Sequence, residues 1–178
     1  MKIAITGHSA GIGKALADAY TRRGHNIVGL SQRDGNNIRS TQKIATLIEP
    51  CDVFVNNAQA GYAQTELLFE MAKRWGKTGK HIIVISSMMT LTPVSSLPGL
   101  DMIQYKVQKT ALEDAVKQIR NERIIRMTVV RPGNIATSPD KTVPPAADVN
   151  IWAERLLQIF DIAGPELVVP DISLGPVI

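Results

Sequence analysis

Apolar runs that resemble strands alternate with amphipathic stretches along the whole chain. The runs are rich in Ile and Val, and they predict strands over residues 2–6, 26–30, 51–55, 80–86, 124–130 and 166–169. Between them, apolar residues recur at helical spacing, which predicts helices over residues 11–23, 40–48, 64–75, 101–120 and 150–160. The run HIIVIS within residues 80–86 does not alternate, as expected for a strand buried on both faces.

The alternation of strands and helices predicts one α/β domain over residues 1–178. Crossover connections of this kind give a doubly wound parallel sheet, here of about six to seven strands, with helices on both faces in three layers. Residues 33–51 leave room for only a vestigial strand at 37–39. Ligands of such sheets bind outside the carboxyl ends of the strands, so we expect the loops at 88–100 and 131–148 to border the site.

Composition and charge narrow the function classes. The 20 basic and 16 acidic residues are interspersed, and aromatic residues make up only 4%, which argues against a nucleic-acid surface. No apolar run is long enough for a membrane span, and no signal peptide is apparent at the start. Cys51 is the only cysteine, which fits a reducing cytoplasm. We therefore expect a cytoplasmic protein that binds neither nucleic acid nor membrane.

A glycine-rich turn, TGHSAGIG at residues 6–13, joins the first predicted strand to the first helix. Glycine allows positive φ angles and lets the backbone approach a pyrophosphate closely, while the helix N-terminus offers free N–H groups. The turn therefore predicts a Rossmann-type dinucleotide site. The expected cofactor contacts in it are Gly7, Ser9, Gly11, Ile12 and Gly13, and His8 could also touch the phosphates.

The spacing TGxxxGxG resembles the signature of the short-chain dehydrogenase/reductase family, and further motifs follow in the family's order. The segment NNA at residues 56–58 is similar to the family's Asn-Asn-Ala-Gly segment, which stabilises the sheet beside the adenosine half of the cofactor. The resemblance implies cofactor contacts for Asn57 and Ala58. Gln59 stands where the family usually has glycine.

Three residues match the family's catalytic positions. Tyr105 and Lys109 form YxxxK and share one helix face, and Ser87 ends the strand HIIVIS. The resemblance implies that Tyr105 is the acid/base, that Ser87 orients the substrate oxygen, and that Lys109 binds the nicotinamide ribose. A neighbouring ammonium favours a phenolate, so we expect Lys109 to lower the pKa of Tyr105.

A last motif concerns the nicotinamide end of the cofactor. RPGNIAT at residues 131–137 resembles the family's Pro-Gly-x-x-x-Thr segment, which implies that Pro132, Gly133, Ile135 and Thr137 surround the nicotinamide.

The choice between NAD and NADP depends on the residues that follow the second strand. An acidic residue at its end normally grips the ribose of NAD, but Ser31 stands there, and Arg33 suits a 2′-phosphate. We therefore expect NADP (NADPH) rather than NAD, although a small shift would place Asp34 at that position.

Several features depart from the family pattern. The family's fourth helix carries an asparagine that supports a proton-relay water, but no asparagine occurs between Asn57 and Ser87; Gln59 or Gln64 could substitute. The interval from Ser87 to Tyr105 is longer than usual, so other hydroxyls could approach the site, namely Thr92, Ser95 or Ser96. The loop after Thr137 is short, which predicts a small lid over the substrate.

These observations favour an NADP(H)-dependent oxidoreductase that transfers hydride between the nicotinamide and a small carbonyl or alcohol substrate. The alternative is a non-catalytic NADP(H)-binding sensor or interaction protein on the same fold. The resemblance also implies a homodimer or homotetramer formed through the helices at 64–75 and 101–120. Their faces away from the catalytic residues carry Leu68, Met71, Trp75, Val107, Leu112 and Val116.

Overall fold

The computed structural model describes residues 1–122, 125–137, 145–164 and 166–176. Its strands are β1 (Lys2–Thr6), β2 (Asn26–Leu30), β3 (Val53–Asn56), β4 (His81–Ile85), β5 (Arg126–Pro132), β6 (Ile135–Ala136), β7 (Ala147–Asp148) and β8 (Asp171–Leu174). Its helices are α1 (Gly11–Arg22), α2 (Thr41–Ile48), α3 (Ala63–Trp75), α4 (Leu100–Asn121) and α5 (Val149–Ala163).

The described strands form a six-stranded parallel sheet in the order β2–β1–β3–β4–β5–β8, and β6 pairs with β7 separately. From β1 the chain moves to β2 on one side and then returns to β3 on the other. The strand order therefore reverses between β1 and β3, which is where open α/β sheets bind ligands. The glycine turn follows β1 and the NNA segment ends β3, so both lie at this crevice.

Two apolar clusters cover the two faces of the sheet and confirm the three layers. Helices α2, α3 and α4 pack on one face, where Ala4 and Phe54 contribute from the strands. Helices α1 and α5 pack on the other, where Ile3, Ile5 and Val55 contribute. Neighbouring residues of a strand thus enter opposite clusters, as the period of two requires.

The helix faces that were predicted to form an association surface lie largely in the core of the monomer. Five of the six side chains expected on an association surface are fully buried within the monomer, namely Leu68, Met71, Trp75, Leu112 and Val116. Only Val107, at 48% exposure, lies on the surface. Helical spacing could not separate these alternatives, because a core face and an interface face have the same apolar period.

The last strand lies later than predicted. Residues 166–169 form no strand; the pairing with β5 begins at Asp171, and Ile172 enters the core. Leu167 and Val168 are apolar but exposed, so their hydrophobicity was a misleading signal. The neighbouring strand is β5, which begins at Arg126; Ile124, where it was predicted to begin, lies outside the described residues.

No strand forms at residues 37–39 either. The backbone turns there, and the Asn37 side chain accepts a hydrogen bond from the Arg39 N–H at 3.0 Å. The side chain of Ile38 is buried in the core. The remaining predicted elements are confirmed, with ends that differ by three residues at most.

Candidate active site

The glycine turn presents bare backbone to the crevice. Gly7 and Gly11 have φ angles of +72° and +53°, a region that other residues rarely adopt. A Cβ on Gly13 would lie 2.2 Å from the Gly7 carbonyl oxygen, so only glycine permits this approach. Helix α1 has Ala10 as its N-cap residue, so it has no side-chain cap, and its first turn contains no acidic residue. Its positive end is therefore available to an anion, and the cradle fits a pyrophosphate.

Hydrogen bonds fix the NNA segment against the glycine turn. The Thr6 hydroxyl accepts from the backbone N–H groups of Asn57 at 3.0 Å and Ala58 at 3.1 Å. The Asn57 side-chain amide donates to the Thr6 carbonyl at 2.9 Å and lies close to Gly7 and Gly13. Asn57 therefore holds the ends of β1 and β3 together and shapes the cradle. This structural role comes in addition to the cofactor contact predicted for it.

A cavity of about 490 Å³ adjoins the turn and gathers five of the predicted cofactor residues. These lining residues are Gly7, Ser9, Ser31, Arg33 and Ala58. Ile12 is not among them, because its side chain packs towards the core. The cavity lies beyond the end of β2, where the adenosine half of a dinucleotide is expected.

Charges at the cavity margin bear on the choice of cofactor. The Ser31 hydroxyl donates to the Asp34 carboxylate at 2.6 Å, and His8 Nε2 lies 3.8 Å from the same carboxylate. Arg33 is exposed and makes no hydrogen bond or ion pair with another described residue. The histidine ring also covers Gly29, where a Cβ would lie 2.3 Å from it. The sequence motif did not identify Gly29, since its role depends on the histidine above it.

Ser87 is fixed by the turn that follows it. Its Oγ accepts from the Met89 N–H at 3.2 Å, which caps the short 3-10 helix Met88–Leu91. Lys106 of α4 donates to the carbonyl groups of Met89 at 3.1 Å and Thr90 at 2.5 Å. These contacts anchor the start of the lengthened loop. Ser86 points elsewhere, because its hydroxyl donates to Glu113 at 2.5 Å.

Tyr105 and Ser87 come together as predicted. Burial raises the pKa of the Tyr105 phenol, and a hydrogen bond with Ser87 lowers it only in part. The net shift is therefore upward, opposite to the lowering expected from Lys109. The lysine Nζ lies 5.7 Å from the centre of the tyrosine ring, and burial of the phenol outweighs any such effect. Of the candidate hydroxyls, Ser87 is the one that acts on the pKa of Tyr105; Thr92, Ser95 and Ser96 make no hydrogen bond with Tyr105 in the part of the chain described.

Lys109 lies in the interior beneath Tyr105. The residue is 3% exposed, and its Nζ donates to Gln64 Oε1 at 2.8 Å and to the Ile85 carbonyl at 2.9 Å. Burial lowers its pKa to about 8, although Glu113 one turn further along α4 opposes this. Of the two candidate substitutes for the missing asparagine, Gln64 reaches the lysine, whereas Gln59 pairs with Gln108 at 2.5 Å.

The RPGNIAT segment closes the crevice between the glycine turn and the serine loop. A Cβ on Gly11 would lie 3.4 Å from Thr137 Cβ, so this threonine adjoins the cradle. A Cβ on Gly133 would lie 2.8 Å from Gly175 and 3.1 Å from the sulfur of Met88. Pro132 is buried in β5, and Ile135 packs against the core. These two residues can therefore contact a ligand through their backbone groups rather than their side chains.

Glu113 is a second residue that the motifs missed. Its carboxylate accepts from Ser86 at 2.5 Å, from Thr90 at 2.9 Å and from the Arg131 guanidinium at 2.7–3.0 Å. It thereby ties α4 to β4, to the serine loop and to β5. The available signal was its position one helical turn after Lys109, which places both on one face.

No three His, Cys, Asp or Glu side chains among residues 1–122, 125–137, 145–164 and 166–176 are grouped to hold a metal ion. None of the helices within those ranges is both long and apolar enough to cross a membrane.

Comparison with known proteins gives structural matches only. No family model and no curated protein matches the sequence. An alcohol dehydrogenase from the archaeon Thermococcus sibiricus, complexed with 5-hydroxy-NADP, is 17% identical with a TM-score of 0.75, covering 99% of this chain and 96% of that chain. A short-chain dehydrogenase from Burkholderia cenocepacia in complex with NADP is 18% identical with a TM-score of 0.71, covering 98% and 88%.

A 3-alpha-hydroxysteroid dehydrogenase from a Pseudomonas species, complexed with NADH, is 19% identical with a TM-score of 0.69, covering 98% of this chain and 95% of that chain. Similarities of this kind show the fold, which is the Rossmann-like α/β fold of solved short-chain dehydrogenases. They leave the chemistry of this chain to its own residues.

Proposed function

We propose that the protein is an NADP(H)-dependent oxidoreductase of the short-chain dehydrogenase/reductase family that acts on a small carbonyl or alcohol. The observation that carries this proposal is the grouping of Tyr105, Ser87 and Lys109 after β4, at the edge of the parallel sheet where the glycine turn follows β1. The bound nicotinamide supplies the hydride, and the protein supplies position, protons and electrostatics. Gly7, Gly11 and Gly13 form the cradle that fits its pyrophosphate.

Tyr105 is the proton donor in the reductive direction. Because burial raises its pKa, the phenol is protonated at neutral pH and can give a proton to a carbonyl oxygen. The Ser87 hydroxyl, which lowers the pKa of Tyr105 in part, orients that oxygen and stabilises the phenolate that remains. Lys109, with a pKa of about 8, is largely charged at pH 7 and supports the same phenolate from beneath. The arrangement therefore favours reduction of a carbonyl over oxidation of an alcohol at neutral pH.

Arg33 supports NADP as the cofactor. Its guanidinium has no partner among the described residues and lines the adenosine cavity, so it is available for the two hydrogen bonds that a 2′-phosphate accepts. Asp34 opposes this choice, but its carboxylate accepts from Ser31 and lies near His8, which directs some of its charge away from the ligand. Structural neighbours bind both kinds of cofactor: NADP is present in one, and NADH in another.

A second candidate function is non-catalytic binding of NADP(H), as a sensor or interaction protein. The observation that favours it is the inward orientation of Lys109, which already donates to Ile85 and Gln64. In that case Tyr105 would contact the ribose without transferring a proton, and Lys109 would stay hydrogen-bonded to Gln64 and Ile85.

Turnover by a tyrosine variant distinguishes the two functions. NADPH and NADH are titrated by fluorescence, and NADPH oxidation is then followed with a panel of aldehydes, ketones and quinones. We expect Tyr105→Phe to lose about 10²-fold or more in turnover while it binds NADPH as well as the wild type. Tyr62→Phe is the matched control, because Tyr62 is 51% exposed and lies outside the site. Tight NADPH binding without turnover of any carbonyl would favour the sensor, and absence of binding would contradict both.

We also propose that two or four copies associate through the exposed sides of α3 and α4. These sides present Phe69, at 52% exposure, and Val107. Light scattering should report a dimer or tetramer that Val107→Glu weakens. A wild-type monomer at micromolar concentration would contradict this.

A further inference from the structure

The amide of Gln64 is the closest polar contact of the Lys109 ammonium. Gln64 lies in the first turn of α3 and is 2% exposed, and its Oε1 accepts from the lysine Nζ at 2.8 Å. The second acceptor, the Ile85 carbonyl at 2.9 Å, immediately precedes the Ser86–Ser87 pair. The ammonium is thus held between the start of α3 and the end of β4.

The orientation of the Gln64 side chain is fully determined. Its Nε2 donates to the Asn56 carbonyl at 2.7 Å and to the Ile85 carbonyl at 3.1 Å. Its backbone carbonyl in turn accepts from the Asn56 side chain at 3.0 Å. A flipped amide would place its NH₂ group against the lysine ammonium and its oxygen against two carbonyl oxygens, so only the observed orientation satisfies every partner.

The groups that surround the Lys109 ammonium make the Gln64 amide important for keeping it charged. The titratable groups that face the ammonium are Tyr105 and Glu113, both on α4 itself. From the neighbouring elements it meets neutral groups, namely the Gln64 amide of α3 and the Ile85 carbonyl of β4. Charged groups in the interior depend on such hydrogen bonds, because a buried ammonium without acceptors shifts to its neutral form.

We propose that Gln64 is a positioning residue that fixes the location and the protonation of the Lys109 ammonium, and thereby the rate of proton transfer by Tyr105. This proposal rests on the proposed oxidoreductase function. Gln64 itself touches neither substrate nor cofactor, because its side-chain amide already makes hydrogen bonds with Lys109, Asn56 and Ile85. It acts on the reaction through the lysine alone.

Two substitutions of opposite sign test this role. Gln64→Leu removes the acceptor, so the pKa of Lys109 should fall and turnover at pH 7 should drop about tenfold with little change in the substrate KM. Gln64→Glu keeps the shape of the side chain and adds a negative charge, so the pKa of Lys109 should rise by about one to three pKa units. The alkaline limb of the profile of kcat against pH should then move to higher pH by the same amount. Gln118→Leu is the control, because Gln118 is exposed on α4, the helix that carries Lys109.

The lysine titration is read by NMR of protein carrying ¹³C-labelled lysine, with the Lys109 signal assigned by its loss in Lys109→Met. This readout needs no turnover, so it separates the two proposals. If both Gln64 variants titrate as the wild type does, or if Gln118→Leu moves the signal equally, the role of Gln64 is overturned. If the lysine shifts as expected but the wild type oxidises no NADPH, the proposed function fails and the kinetic part of this proposal fails with it.

Discussion

Burial of Lys109 makes the stability of the protein depend on pH in a calculable way. The pKa of this lysine falls from its ordinary 10.5 to about 8 on folding. Between these two values the unfolded chain binds more protons than the folded chain, so the free energy of unfolding rises as pH rises through this window. One pKa unit corresponds to about 1.36 kcal/mol, so the whole effect is about 3 kcal/mol, of which about 2.5 kcal/mol falls between pH 7 and pH 10.

Urea denaturation of the wild type and Lys109→Met at pH 7 and pH 10 measures this term. Met preserves most of the aliphatic stem but cannot be protonated, so the difference between the two proteins isolates the lysine from every other titrating group. We expect the wild type to gain about 2.5 kcal/mol relative to the variant from pH 7 to pH 10. Lys117→Met, at an exposed position of the same helix, should follow the wild type. Equal pH dependence in the wild type and Lys109→Met would refute the reasoning.

Four further substitutions test other parts of the structure. Burial, and to a smaller extent the charge of Arg126, holds the pKa of His81 at about 4. The wild type should therefore lose about 2.5 kcal/mol of stability as pH falls from 6.5 to 4, and His81→Gln should lose less in urea denaturation. Gly13→Ala places a Cβ 2.2 Å from a backbone oxygen and should cost at least about 2 kcal/mol by thermal denaturation, together with NADPH binding. Arg33→Ala should weaken NADPH about tenfold or more in a fluorescence titration with NADH unchanged, whereas Asp34→Asn should strengthen NADPH; equal losses for both cofactors in Arg33→Ala would contradict the assignment.

The predictable part of the site lies in short segments whose backbone geometry is local. The TGHSAGIG turn needs its glycines whatever else the chain does, and Gly7 and Gly11 have the positive φ angles that this requires. Tyr105 and Lys109 are one helical turn apart, so their shared face also follows from the sequence. The strand pattern placed the turn and Ser87 at the same edge of the sheet.

The parts that could not be predicted depend on contacts between distant segments. Gln64 meets Lys109 across 45 positions, and Glu113 meets Ser86 across 27, and no local pattern encodes either contact. The raised pKa of Tyr105 is likewise a consequence of burial, which the YxxxK spacing does not contain. Leu167 shows the converse error, since an apolar residue that predicted a strand lies exposed before β8.

Transfer of deuterium from labelled NADPH tests the central claim most directly. The wild type is incubated with NADPH deuterated at the transferable position of C4 and with each aldehyde and ketone of the panel, and the alcohol product is analysed by mass spectrometry. We expect an alcohol that carries one deuterium on the former carbonyl carbon, and far less of it from Tyr105→Phe. NADPH that binds tightly but yields no deuterated alcohol from any carbonyl would contradict the claim that this site transfers hydride.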